Sequence, residues 1–232
     1  MANRAVTPGD GRQSEPEHKW PQTVKERSTR AHGRRTLVKL LDAAEAEFAD
    51  NGWHGARMAR LAKRAGTAHG TVYAYFADKD DLLYALWQDV GAELRASLSS
   101  MPGLEPGPEG FTTIRDWVAD VCACFHRHAP VFHAVAEALA DEENTRGGKA
   151  ALRDQRRVLG VFEERIRATG TPGIDPAMAA LCIYALIEGA NESVFRGELL
   201  VSEEELVTGM AEFIQRSIFG AGAGGGRKSR RV

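Results

Sequence analysis

Residues 66–76 read Gly-Thr-Ala-His-Gly-Thr-Val-Tyr-Ala-Tyr-Phe, and a helix starting near Ala68 is only about two turns long. Val72 and Phe76, four apart, fall on one side of it and leave His69, Gly70, Thr71, Tyr73 and Tyr75 on the remaining surface. A helix of this length does not hold its shape in water unaided. Neighbouring elements must fix its angle, and that requirement constrains the fold more than any other stretch of the chain.

The preceding residues meet it. Leu37, Leu40, Leu41, Ala44 and Phe48 repeat with the period of an amphipathic helix, and Asn51-Gly52 supplies a stop. Met58, Leu61, Ala62 and Ala65 form a second, shorter stripe that ends at Gly66. The order helix, turn, helix, tight turn, short helix is that of a helix-turn-helix, whose last member enters a DNA groove.

From about Arg34 to Leu83 the chain resembles the DNA-binding domain of TetR-family transcriptional regulators. The residues that carry the resemblance are Ala44, Phe48, Gly52 with Trp53, Leu61-Ala62, Ala65-Gly66, Gly70-Thr71-Val72-Tyr73, Tyr75-Phe76, Lys79 and Leu82-Leu83. The resemblance implies that Thr71 and Tyr73 face DNA, with Thr67 and His69 beside them. It further implies that Tyr75 and Lys79 reach phosphates and that Gly70 allows close backbone approach. Two positions depart from the family pattern: Ala56 and Ala68 stand where a hydroxyl residue opens each helix. Each loses a cap normally worth about 1 kcal/mol. Thr67 is expected to replace the second cap, and Arg57 to gain a phosphate contact near the first.

Charge is unevenly placed. Residues 1–79 carry 14 Lys and Arg against 9 Asp and Glu, whereas residues 80–226 carry 12 against 23. A basic front on an acidic remainder suits a head that meets nucleic acid and a body that does not. An ordinary solvated surface could show the same balance, so the motif decides the matter. Residues 1–30, polar and rich in Pro, Gly and charge, are expected to be a disordered tail, and 220–232 a flexible basic tail. This leaves a head over 31–79 and a body over 80–219. No signal peptide and no apolar run of about 20 residues is apparent, which points to a cytoplasmic protein without a membrane partner.

After Lys79 the apolar spacing stays helical, with breaks at Met101–Pro108 and Gly170–Gly173, so the fold class is all-α. Separate helices are expected over Phe111–Phe125 and from Pro130. The segments 176–195 and 203–219 are apolar on more than one face and need cover on more than one side. A homodimer satisfies this, with Leu206, Met210 and Phe213 at the interface, and a two-fold dimer doubles the DNA site.

Cys122, Cys124, His126, His128 and His133 invite a metal reading, but Cys124 points away from Cys122 on a helix and no second cluster completes a site. Phosphate loops, nucleophile elbows and HExxH are absent, so neither metal, cofactor nor enzyme activity is expected. Trp87, Trp117, Phe125, Phe132, Phe162 and Tyr184 could wall a pocket, and Glu188 and Asn191 adjoin it as polar groups needing partners. These observations and the resemblance together suggest a homodimeric repressor of double-stranded, near-palindromic operator DNA, released by a small-molecule effector. The rival reading is an architectural or partner-controlled DNA-binding factor with no such effector.

Overall fold

The computed structural model describes Trp20, Thr23, Glu26, Arg27, residues 31–140 and residues 145–220. Among them the regular elements are all helices, here α1 (Ala31–Gly55), α2 (Met58–Arg64), α3 (His69–Tyr75), α4 (Lys79–Ser99), α5 (Gly107–Ala140), α6 (Arg146–Ala168), α7 (Pro176–Phe195) and α8 (Glu203–Phe219). The all-α expectation is met.

The head is α1 to α3. Leu37, Leu40, Leu41, Ala44 and Phe48 line the buried side of α1, which changes course at Gly52, where φ is 60°. Such a backbone is cheap only for glycine. Asp78 then caps α4 by accepting the Asp81 N–H at 2.7 Å. Leu82, Leu83, Leu86, Val90, Leu94 and Leu98 run buried along α4 from the head into the body.

In the body, α4 packs on α5 and α6, α6 on α7, and α5 on α8, while α1 lies against α5. The expected pair of helices over 111–139 is one helix with a kink. His128 leaves helical geometry at φ −120°, two residues before Pro130. Proline removes a backbone donor and crowds the preceding turn, and here the apolar packing on both sides makes the chain bend instead of stopping. Asp175 caps α7 ahead of Pro176, as the spacing suggests, and Ser202 with Glu205 forms a reciprocal capping box on α8.

One expectation needs correction. Of the tail anticipated over residues 1–30, Trp20 and Thr23 are buried, Arg27 is half-buried and Glu26 is exposed, and the others lie outside the described residues, as do 221–232. Trp20 is wholly buried and donates its Nε1–H to Asp42 at 2.8 Å. Thr23 donates from its backbone to Asp89 (3.1 Å) and from Oγ1 to the Ala85 carbonyl (2.6 Å). Arg27 grips Asp81 with two hydrogen bonds, at 2.9 and 2.8 Å, and donates to the Tyr75 carbonyl at 3.0 Å. That pairing holds the Asp81 carboxyl below the usual range. These contacts join the amino-terminal segment to both head and body.

Candidate functional site

In the head, Val72 and Phe76 are fully buried beneath α3, while His69, Gly70 and Tyr73 stand outward, Tyr73 with 47% of its surface exposed. Thr67 and Thr71 are half-buried beside them. The rings of His69 and Tyr73 meet edge to face at 4.9 Å, which gives the outer surface of a two-turn helix a defined shape. Gly66, at φ 64°, makes the sharp turn between α2 and α3.

The capping arrangement differs from the expected one. Neither α2 nor α3 has a side-chain cap, so Thr67 does not replace the missing hydroxyl at Ala68. Ala56 lies inside the core, and Arg57 occupies the N-cap position of α2. Its backbone N–H is satisfied from another helix: Glu47 of α1, almost wholly buried, accepts it at 3.1 Å and accepts Arg60 Nε at 2.8 Å. A carboxylate at this place also complements the positive end of α2. Sequence spacing gave no sign of this, because Glu47 lies ten residues upstream.

Three of the presumed DNA contacts are engaged within the protein. Arg57 Nη1 donates to the His54 and Ala56 carbonyls, at 2.8 and 3.2 Å. Tyr75 is half-buried and its hydroxyl donates to the Gly33 carbonyl at 3.2 Å. Lys79 Nζ donates to the Trp53 carbonyl at 2.6 Å and sits 4.0 Å from the centre of the Trp53 ring. An ammonium has three donors, so Lys79 can keep that bond and still meet a phosphate.

The body holds a cavity of about 460 Å³ between α4, α5, α6 and α7. Phe125, Tyr184, Glu188 and Asn191 line it as expected, and Trp87 and Phe132 add further aromatic wall. Trp117 and Phe162 do not line it. They are buried against each other, ring centres 5.6 Å apart, and Trp117 donates to the Ser97 carbonyl. Aromatic residues at helical spacing do look alike in sequence whether they face a core or a void.

Polar groups in the wall divide into satisfied and unsatisfied. Asp154 pairs with Arg95 at 2.7 Å and accepts the Trp87 indole N–H at 3.1 Å. Glu192 pairs with His133 at 2.7 Å and Arg196 at 3.1 Å. Glu188 keeps part of its surface open to solvent, yet the surrounding walls, and secondarily Glu192, hold its pKa above the ordinary range. Burial, with Glu188 and Asp154 nearby, likewise raises the Tyr184 phenol.

A polar chain leaves this wall for the head. His133, bonded to Glu192, also approaches Glu137 at 3.3 Å, and Glu137 accepts the backbone N–H of Trp53. Sequence reading missed Glu137 because 84 residues separate it from Trp53.

Met178 and Phe213 are exposed and line one shallow groove between α7 and α8, and Leu181 and Leu200 are exposed as well, with Leu200 90% and Phe213 53% exposed. Leu206 and Met210 are not part of it; both are buried against the body's own core, which corrects two of the three anticipated interface residues. Pro176–Phe195, at mean hydropathy 1.2, is long and apolar enough to cross a membrane by composition, contrary to the expectation that no such run exists. A helix with one apolar face left for a protein partner passes the same test.

Cys122 and Cys124 are buried, and burial pushes their thiols up to about 11 and about 12. Such thiols are poor ligands and nucleophiles. Among the described residues no group of three or more His, Cys, Asp or Glu could hold a metal ion.

Residues 40–86 match the family model of bacterial regulatory proteins, tetR family. The fatty acid metabolism regulator protein of Bacillus subtilis is 40% identical over 52 residues, which is 22% of this chain and 27% of that protein. The HTH-type transcriptional regulator YvdT of Bacillus subtilis is 26% identical over 188 residues, covering 78% of this chain and 93% of the relative. Among solved structures, FadR of Bacillus subtilis in complex with stearoyl-CoA shares the fold, with TM-score 0.61 and 18% identity over 79% of this chain and 98% of that one.

Proposed function

We propose that this chain, whose residues 40–86 match the tetR family of bacterial regulatory proteins, is a homodimeric transcriptional repressor released from operator DNA by a small molecule. The outward surface of α3, with Gly70, Thr71 and Tyr73, reads base edges, and His69 and Thr67 flank it. Arg57, Tyr75 and Lys79 position the head, with phosphate contacts added to the internal bonds they already make. Two heads on a two-fold axis bind two halves of a near-palindromic site in the cytoplasm.

The observation that carries the effector part is the continuous path from the cavity wall to the head. Glu192, His133, Glu137 and the Trp53 N–H lie in one series of polar contacts, hydrogen-bonded at its two ends and with His133 3.3 Å from Glu137 in the middle. A ligand that displaces Glu192 acts on the group that holds the head's turn. It shifts DNA affinity by no more than its differential affinity for the two arrangements. An architectural factor without an effector has no use for a 460 Å³ cavity at the end of such a path.

The test is capture of genomic fragments on the purified protein, followed by sequencing of what is retained. The proposal expects one enriched motif with inverted symmetry. Retention that is independent of sequence contradicts it.

A further inference from the structure

One of the three carboxylates in the cavity wall stands without a partner. Asp154 is paired with Arg95, and Glu192 is paired with Arg196 and hydrogen-bonded to His133. Glu188 has no ion pair or hydrogen bond among the described residues. One turn further along α7, Asn191 is 97% buried (3% exposed); its Nδ2 donates to the Ile187 carbonyl at 2.8 Å, and its Oδ1 has no partner. Tyr184, Glu188 and Asn191 are spaced four and three apart on the face of the helix that lines the cavity, with Glu188 exposed there and the Asn191 amide buried, its side chain against Cys122.

An unpartnered buried acceptor costs free energy that an incoming donor recovers. A carboxylate without a partner in the wall asks for a group with N–H donors and a positive charge. Apart from Gln155 and His126 the remaining wall is largely apolar and aromatic: the rings of Phe125 and Phe132 lie 4.5 Å apart, with Trp87 edge-on to Phe132 at 5.9 Å. Aromatic faces attract a cation and tolerate an apolar body. The one guanidinium in the wall, Arg95, is already committed to Asp154, so a carboxylate or phosphate ligand finds no free cation of that kind there.

We propose that this cavity binds a protonated amine carried on an apolar body, its N–H groups directed at Glu188. This rests on the reading of the cavity as the effector site and adds the class of molecule. It differs from what the structural neighbour binds, since stearoyl-CoA is an anionic thioester.

Calorimetric titration of the full chain near pH 7 with n-decylamine, n-decanol and decanoate tests the assignment. The amine is expected to bind about tenfold or more tighter than the alcohol, the effect of one charged hydrogen bond, and decanoate to bind weakest. Glu188→Gln should bring the amine to within about twofold of decanol and leave decanol itself unchanged, which also reports that the variant is folded. Decanol or decanoate binding as well as the amine overturns the proposal, as does an amine preference that survives Glu188→Gln. The three-ligand comparison uses unaltered protein and stands whether or not the variant folds. If none of the three binds, the effector reading of the cavity falls as well; if the others bind without an amine preference, only the amine assignment falls.

Discussion

The backbone N–H of Trp53, at the turn that ends the first helix of the head, is held by the carboxylate of Glu137 on the kinked helix of the body. The same carboxylate crowds Gly52, where an added Cβ would lie 2.8 Å from Glu137 Oε2. A turn that only glycine adopts cheaply and a charge from a distant helix therefore define one junction between head and body.

Glu137→Ala leaves the Trp53 N–H without this acceptor and should cost about 1–2 kcal/mol of stability, measured by urea unfolding. Glu137→Gln, which still offers a carbonyl oxygen, should lose less. Equal stability of Glu137→Ala and the unaltered protein contradicts the junction.

Trp20 fills the core from a segment whose flanking composition suggests disorder. Trp20→Ala should lower stability by about 3 kcal/mol or more, as large buried aromatics do. Removal of residues 1–27 should do at least as much damage, since it also takes away the Arg27 and Thr23 groups bonded to Asp81, Ala85 and Asp89. A thermal melt unaffected by either change restores the picture of a dispensable tail.

The outer apolar face separates two substitutions on one helix. Phe213→Asp places a charge on an exposed surface and should split the dimer in light scattering while leaving the helical circular dichroism intact. Met210→Asp places it in the monomer's core and should unfold the protein, since burial of an unpaired charge costs several kcal/mol or more. A dimeric Phe213→Asp variant places the interface elsewhere.

The division between these two residues shows how far the sequence reads. Periodicity identifies both helices and their double-sided apolarity, because that follows from the 3.6-residue repeat alone. Which side meets the protein's own core and which is left open depends on where α5 and α7 sit, and those contacts join residues far apart in the chain. Trp117 and Phe162 were ambiguous against Phe125 for the same reason. The position of α3 is legible to within a residue because its glycines and apolar pair are local. The groups that support it, Glu47 and Glu137, come from elsewhere and carry no spacing signal.

Glu188 gives a pH signature. Its pKa is raised in the folded state by burial and by Glu192, so the protonated form is favoured on folding. Its contribution is favourable below the ordinary glutamate range and is lost as pH rises through the folded value. Asp154 with Arg95, Glu192 with His133, Tyr184 and the exposed His126 share the cavity wall with it. Glu188→Gln should therefore melt higher than the unaltered protein at neutral pH, with the gap closing as pH falls toward about 4. A gap that stays constant across that range removes the raised-carboxyl account.

The central claim is that a dimer reads DNA through the outward face of α3, and titration of the captured operator duplex tests it most directly. The unaltered protein should bind as a dimer to both half-sites. Tyr73→Ala should stay folded and dimeric but lose about tenfold or more in affinity, the scale of one specifying contact, while binding to unrelated DNA hardly changes. A Tyr73→Ala protein that binds the operator as tightly as the unaltered one contradicts the account.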